Sequence, residues 1–234
     1  MLNISYFHFN PFDVNTWVVW NEDLEGFLVD PGCSTEREFK SLQDFIEGHS
    51  LHLQAIVLTH GHIDHVLGVK RLSDAYGIPV HMGAAEKDAM AGHWKVAERF
   101  GLSDRVEHFD CHYVEDGDVL TLAGKEWTAI ATPGHSPGGV CWWCGQDGIL
   151  FSGDTLFRET IGRTDLYGGD YDSLIVSVMD RLMGLPGDTD VLPGHGSPTK
   201  ISHERTHNPF LQPWGEKEQD GIDWDEDGIE LDGR

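Results

Sequence analysis

Positive charge is scarce in this 234-residue sequence: 16 Lys and Arg stand against 40 Asp and Glu, which gives a formal net charge of −24. Nucleic-acid partners require a basic surface, so this balance argues against them. No apolar run reaches the roughly 18 residues of a membrane helix, and we expect no membrane partner. The amino-terminal segment lacks the basic residues that open a signal peptide, so we expect a first strand there and a cytoplasmic protein.

Cysteine is also scarce, with four residues in the chain. Cys141 and Cys144 have the C-x-x-C spacing of redox and zinc motifs, but no second pair is present to complete a zinc site. They lie in an apolar, strand-like run, where residues i and i+3 point to opposite faces of a sheet. We therefore interpret both as core residues.

The most informative stretch is His60-Gly61-His62-Ile63-Asp64-His65, which holds four potential metal ligands. It directly follows the apolar run 53–58, which is typical of a buried strand. Open α/β sheets usually place their chemistry at this carboxyl edge of the strands. His60 and His62 point the same way in an extended segment, whereas Asp64 and His65 fall where a helical pattern begins. One short loop can therefore serve two metal ions.

Three later segments each place one ligand-type side chain in a loop or just past an apolar run: His135 in 131–139, Asp154 in 150–155 and His195 in 191–196. Singly each signal is weak, since a lone His or Asp in a loop is usually solvated or capping. All of them in this order, after the first motif, point to a metal site.

These four motifs resemble the T-H-x-H-x-D-H, P-G-H-[ST]-P-G, G-D and G-H signature of the metallo-β-lactamase-fold hydrolases. The sequence is most similar to glyoxalase II (hydroxyacylglutathione hydrolase) and its short bacterial relatives, from about Phe9 to about Leu211. The resemblance implies an α/β (α+β) fold, a four-layer αββα sandwich. We expect residues 1–215 to form the hydrolase domain and 216–234, with nine acidic and two basic residues, to form a flexible tail.

The resemblance also implies roles for the ligands. Two divalent ions, zinc or else iron or manganese, are bound by two sets of side chains that share one bridging carboxylate. The first set is His60, His62 and His135, the second is Asp64, His65 and His195, and Asp154 bridges them. Asp30 matches a further family motif and is expected to orient the ligand loop, although an Asx turn before Pro31 is an equal alternative.

The resemblance further implies thioester hydrolysis, with a small-molecule substrate such as S-lactoylglutathione or a related acyl-thiol. Two ions about 3.5–4 Å apart lower the pKa of a shared water toward ~7, and the bridging hydroxide attacks the acyl carbonyl. Asp64 and Asp154 are the expected catalytic residues, Asp64 by orienting that hydroxide. A thiol with a pKa near ~8.5 leaves as thiolate without a strong general acid.

Two alternatives stay open: a mononuclear iron persulfide dioxygenase of the same fold, and a metal-binding module without turnover. Metal count per chain distinguishes the first from the hydrolase. Arg158 and Arg163 are candidates for a substrate carboxylate, or else form structural ion pairs. Full-length glyoxalase II binds glutathione through a carboxyl-terminal helical region, and this chain has a shorter ending, so glutathione recognition is less firmly implied than thioester hydrolysis.

The periodicity of apolar residues predicts the secondary structure. The predicted helices cover 35–47, 64–75, the interval 84–100, 170–183 and 201–207, and the predicted strands lie near 2–9, 15–20, 25–30, 53–58, 78–81, 117–121, 125–131, 139–144, 148–152 and 189–192.

The acidic composition is uneven, since Asp outnumbers Glu by 24 to 16 and Lys numbers only 7. We hypothesise adaptation to a salt-rich cytoplasm, with an ordinary acidic cytosolic protein as the alternative.

Overall fold

Two six-stranded sheets lie face to face in the computed structural model, and helices cover the outer face of each. The structure describes residues 1–90, 93–102 and 107–212. The layers confirm the predicted αββα sandwich. The predicted acidic tail, 216–234, lies outside the described residues.

The first sheet has the strand order β1-β2-β3-β4-β5-β6. Its first three strands are antiparallel, and β3 to β6 run parallel, so the carboxyl ends of β3, β4 and β5 share one edge. The strands are β1 Asn3–Phe9, β2 Val14–Trp20, β3 Glu25–Val29, β4 His52–Val57, β5 Val80–Gly83 and β6 His112–Val114. The helices of this half are α1 Glu36–Gly48, α2 Ile63–Val66, α3 Val69–Tyr76, α4 Glu86–Met90 and α5 His93–Arg99.

The second sheet has the order β14-β13-β10-β9-β8-β7. Because β9 is antiparallel to both β8 and β10, and β10 is parallel to β13, the strands β8, β10 and β13 end at one edge. The strands are β7 Val119–Leu122, β8 Lys125–Ala131, β9 Val140–Cys144, β10 Ile149–Gly153, β13 Asp190–Pro193 and β14 Thr199–Lys200. A small hairpin, β11 Leu156–Phe157 with β12 Thr160–Ile161, follows β10.

Aromatic side chains fill the space between the two sheets. Phe27 from the first sheet meets Trp127 from the second, with ring centroids 5.1 Å apart, and Phe151 packs against both. The indole nitrogen of Trp142 donates to the Leu58 carbonyl at 3.0 Å. This contact joins the second sheet to the chain just before the predicted ligand loop, so sheet packing positions that loop.

The cysteines occupy the positions expected of core residues. Cys141 packs with the outer helices of the second sheet, whereas Cys144 lies between the sheets. All four cysteines are free. The two side chains therefore point to opposite faces of one strand, which confirms the core interpretation of the C-x-x-C spacing.

The predicted helices at 64–75 and 170–183 are each divided. The first breaks at Gly68, whose amide donates to the Pro31 carbonyl at 2.9 Å and where a Cβ would lie 2.3 Å from Cys33 Sγ. The second consists of α6, Tyr171–Val176, and a π-helical segment, Ser177–Leu182, and α7, Ile201–His207, ends the described helices. Within the described ranges, no helix combines the length and apolarity needed to cross a bilayer.

Candidate metal centre

The candidate ligands lie where strand edges from the two sheets meet. His60, His62, Asp64 and His65 follow β4, while Asp154 follows β10 and His195 follows β13. His135 lies in the loop after β8. Because parallel strands bring their carboxyl ends to one edge, segments far apart in sequence converge there.

The first set consists of three imidazoles whose nitrogens face one point. His62 Nδ1 lies 3.0 Å from His60 Nε2 and 2.9 Å from His135 Nε2. The outer nitrogen of His135, Nδ1, lies 2.7 Å from the Arg163 carbonyl oxygen and donates to it. That hydrogen bond fixes the orientation of the ring and turns His135 Nε2 toward the centre.

The second set lies beside the first. His195 Nε2 is 3.1 Å from Asp64 Oδ2, and His65 Nε2 is 3.5 Å from the same oxygen. Each of these three residues offers one donor atom, and the three donor atoms lie within 4.8 Å of one another. Two imidazoles and one carboxylate are donors suited to zinc and to other divalent transition metals.

Asp154 lies between the two sets. Its Oδ1 is 3.4 Å from His65 Nε2, and its Oδ2 is 3.5 Å from His135 Nε2 and 3.6 Å from His195 Nε2. His65 Nε2 and Asp154 Oδ1 are buried and have no hydrogen-bond partner. Buried polar atoms without partners are rare, and a cation between these two would satisfy both, so the residues fit divalent metal ions.

Gly194 permits the close approach of the loop that carries His195. A Cβ on Gly194 would lie 2.3 Å from Asp154 Oδ1 and 2.7 Å from His65 Cε1. Any larger residue would therefore displace the Asp154 carboxylate or the His65 imidazole. The glycine of the G-H motif is explained by this contact.

Asp30 orients one imidazole from each set. Its Oδ2 accepts from His65 Nδ1 at 2.9 Å and from the Thr59 hydroxyl at 2.6 Å, while Oδ1 accepts from the Thr59 amide at 2.8 Å. Because the Thr59 hydroxyl donates to Asp30, it accepts from His60 Nδ1, 3.1 Å away. Both imidazoles therefore turn Nε2 toward the centre.

Glu86 is a site residue that the motifs did not identify. It is fully buried, and its carboxylate accepts from the Gly61 amide at 3.2 Å and from the Gly138 amide at 2.9 Å. These amides belong to the loops of His60 and His135, so Glu86 ties together the backbones that carry the first set. Its position three residues past the carboxyl end of β5, at the same edge as β4, is the signal that could have found it.

Two asparagines, also missed from sequence, hold the second set. Asn10 Nδ2 donates to the Asp64 carbonyl at 2.8 Å and to the Gly32 carbonyl at 2.9 Å. Asn15 Nδ2 donates to the carbonyls of Pro193 and Gly196, at 3.0 and 2.9 Å, on either side of His195. Nothing in their local sequence distinguishes them from ordinary turn asparagines.

The two sets differ in charge. Burial and the neighbouring histidines keep the pKa of His60 well below its usual range, and burial with His135 lowers the pKa of His62 to about 3. Burial opposes protonation of His65 as well, but the carboxylates of Asp64, Asp154 and Asp30 outweigh it and raise its pKa. His60 and His62 of the first set therefore favour the neutral form, whereas His65 of the second set favours the protonated form.

A cleft of about 690 Å³ opens above the centre and exposes His62, Asp64, His135, Asp154 and His195 in its floor. Arg163 also lines it, with its guanidinium paired to Asp165 at 2.7 and 2.8 Å. Arg158 lies elsewhere, in a surface groove beside α7, with its Nε 3.8 Å from a Glu159 carboxylate oxygen. The two arginines proposed for substrate binding therefore do not share one site.

Ser136 stands at the centre of Gly134-His135-Ser136-Pro137-Gly138, which has the spacing of a serine-hydrolase elbow. The structure places it in a loop and not in a strand-to-helix turn. Its Oγ is buried and has no hydrogen-bond partner, and thus no base to activate it. Ser136 is therefore not arranged as a nucleophile.

Comparison with known proteins agrees with this geometry. Residues 9–195 match the metallo-beta-lactamase superfamily. Hydroxyacylglutathione hydrolase GloC of Haemophilus influenzae is 34% identical over 214 residues, covering 90% of this chain and 98% of the relative. The structure of BLEG-1 B3 metallo-beta-lactamase has a TM-score of 0.83 at 33% identity, covering 90% of this chain and 100% of that one.

A second solved structure, TTHA1623 in a di-iron-bound form, has a TM-score of 0.78 at 34% identity and covers 88% of this chain and 100% of that one. The family match spans most of the sequence and includes every candidate ligand. The chain belongs to the metallo-β-lactamase superfamily and is a metal-binding hydrolase of that fold.

Proposed function

We propose that this protein hydrolyses thioesters, with S-lactoylglutathione or a related acyl-thiol as substrate. The observation that carries the proposal is the meeting of two ligand sets at Asp154 in the floor of an open cleft. Similarity to hydroxyacylglutathione hydrolase GloC supports the thioester as the bond that is cleaved.

Two divalent ions per chain are proposed, with zinc as the first choice. Imidazole and carboxylate donors suit zinc, iron and manganese, and the di-iron form of TTHA1623 supports iron as the alternative. When bound, such ions supply Lewis acidity and lower the pKa of an attacking water.

The residues of the chain orient the reactants around that chemistry. Asp64 Oδ2 faces the cleft beside His195, where it can accept a hydrogen bond from the attacking water and fix its direction. Asp154 holds the two sets at a constant separation through its two oxygens. A thiolate leaving group needs no strong acid, so a floor made of metal ligands is sufficient.

The direct test is hydrolysis of S-D-lactoylglutathione by purified protein whose metal content has been measured. We expect metal-dependent turnover and about two ions per chain by elemental analysis. Asp154→Ala and His60→Ala should remove turnover and reduce metal content, whereas the control His52→Ala, at an exposed position in β4, should retain both.

Full activity in metal-analysed Asp154→Ala protein would refute the bridging role. A folded protein with one iron per chain and no activity on any thioester would favour the persulfide dioxygenase alternative. Absence of all turnover with two bound ions would overturn thioester hydrolysis.

We further propose that the enzyme works in the cytoplasm. All four cysteines are free thiols, as expected in a reducing compartment. Burial raises the pKa of Cys33 to about 12 and that of Cys141 to about 11, so these thiols resist oxidation and serve packing.

A further inference from the structure

The walls of the cleft are apolar, in contrast to its floor. Phe12 and Phe100 in its lining form a T-shaped pair with ring centroids 5.0 Å apart. Val96, Leu166 and Tyr167 also line the cleft. Phe100 is 57% exposed and Tyr167 is 82% exposed, although large apolar side chains usually avoid water. Exposed apolar surface lining a ligand site is surface available for binding.

Phe100 directly follows α5, and this helix packs against the segment that carries Asp64 and His65. Ala97 and Leu102, from α5 and the turn after it, are buried against Ile63 and Leu67. Ile63 begins α2, the helix that carries Asp64 and His65. Ala97 of α5 therefore packs against the ligand helix, while Val96 and Arg99 of the same helix line the cleft.

Two arginines, Arg99 and Arg163, line the cleft. Arg163 is neutralised by its two hydrogen bonds to Asp165. Arg99 lines the same cleft beside Phe100, and no carboxylate of the described residues forms an ion pair with it. In a chain of net charge −24, a guanidinium in the cleft without an ion-pair partner among the described residues attracts an anionic group.

We propose that the cleft selects thioesters of a bulky apolar acyl group on a thiol that carries one carboxylate. The acyl group packs against Phe12 and Phe100, and the carboxylate pairs with Arg99. This inference rests on the proposed thioesterase function and narrows its substrate class. A volume of about 690 Å³ accommodates such a molecule.

A set of four synthetic thioesters separates the two features. The acyl group is phenylacetyl or acetyl, and the thiol is 3-mercaptopropionate or the uncharged 2-mercaptoethanol. We expect kcat/KM for phenylacetyl to exceed that for acetyl by about tenfold or more, as apolar pockets discriminate between groups of different size. The carboxylate should add about two- to fivefold, as a partly exposed ion pair does.

The variants assign each effect to a residue. Phe100→Ala should remove most of the preference for the phenylacetyl thioesters. Arg99→Gln should lower kcat/KM more for the thioesters of 3-mercaptopropionate than for those of 2-mercaptoethanol. Phe210→Ala and Arg37→Gln are matched controls, because both residues are exposed and lie outside the cleft lining. Both should preserve the wild-type pattern.

Binding gives a readout independent of turnover. Thioether analogues, with a methylene in place of the thioester carbonyl, would be titrated into the metal-loaded protein by calorimetry, and the phenyl analogue should bind more tightly than the methyl analogue. Hydrolysis of S-lactoylglutathione and of all four probes without dependence on Phe100 or Arg99 would overturn this inference alone. Failure to hydrolyse any thioester would overturn the proposed function with it.

Discussion

Asp30 and Thr59 form a hydrogen-bonded pair that reaches both ligand sets. The Thr59 hydroxyl donates to Asp30 Oδ2 at 2.6 Å and accepts from His60, while the same carboxylate oxygen accepts from His65 Nδ1 at 2.9 Å. Asp30 therefore acts on His65 directly and on His60 through Thr59. Because His60 belongs to the first set and His65 to the second, removal of either partner should affect the sets differently.

Asp30→Asn should weaken metal binding by both sets, whereas Thr59→Val should weaken the first set much more than the second. Partners that orient a ligand imidazole typically contribute about 10- to 100-fold to metal affinity. Asp30 has a left-handed φ of 49°, which asparagine tolerates well, so backbone strain does not account for the loss. Competition with a chromogenic chelator measures the affinities, and Asp23→Asn, at an exposed position, is the control. Equal losses at both sets in Thr59→Val would contradict the relay.

Glu86→Gln should loosen the first set while it keeps the size of the side chain. The new amide group would face a backbone N–H of Gly61 or Gly138, leaving buried donors without acceptors, at a cost of about 1–3 kcal/mol in folding free energy. We expect a lower melting temperature. We also expect loss of metal from the set formed by His60, His62 and His135 during gel filtration in a buffer that contains a chelator. Glu126→Gln removes the same charge at an exposed strand position and should change neither quantity.

Metal binding at His65 of the second set should release a proton, whereas binding at His60 and His62 of the first set should not. Burial and neighbouring imidazoles lower the pKa of His60 and His62, so both are already neutral at pH 7. The pKa of His65 is raised by Asp64, Asp154 and Asp30 despite its burial, so its proton must leave before Nε2 binds a cation. As pH falls, the affinity of the second set should therefore decline first. Calorimetric titration in two buffers of different ionisation enthalpy counts the protons, and equal release by both sets would contradict the prediction.

Salt should stabilise this protein if its acidic composition reflects a salt-rich cytoplasm. Repulsion among the charges of a chain with net charge −24 acts over about 10 Å at 0.1 M salt and about 3 Å at 1 M. We expect the thermal midpoint to rise with KCl by more than it rises in sucrose of matched osmolality. A KCl series without that additional rise would leave an ordinary acidic protein as the better interpretation.

The ligand positions could be anticipated because each one follows an apolar strand, and strand periodicity is a local property of the sequence. His60 after β4, Asp154 after β10 and His195 after β13 are such cases. The αββα layering followed from the family resemblance. It is confirmed by three hydrophobic cores, one between the two sheets and one on the outer face of each. Helix α7 was predicted with its observed bounds, Ile201–His207.

The features that sequence did not predict depend on tertiary contacts. The strands β6, β11, β12 and β14 have two or three residues each and are defined by their partners, so no periodicity marks them. Glu86 has a role because Gly61 and Gly138 present their amides to it, and both lie far from it in sequence. The guanidinium of Arg163 was proposed for substrate, yet its backbone carbonyl orients His135, a contact that only the folded loop reveals.

The third ligand of each set comes from the second half of the chain. During synthesis, the first set is complete once His135 has been made, whereas the second set also requires His195, which is made much later. The backbone amide of Asn15, in β2, donates to the Gly194 carbonyl at 2.7 Å, so the second strand of the fold contacts the loop that carries His195. A nascent chain can therefore assemble its three-histidine set first, and the second set forms only after the loop that carries His195 has been made.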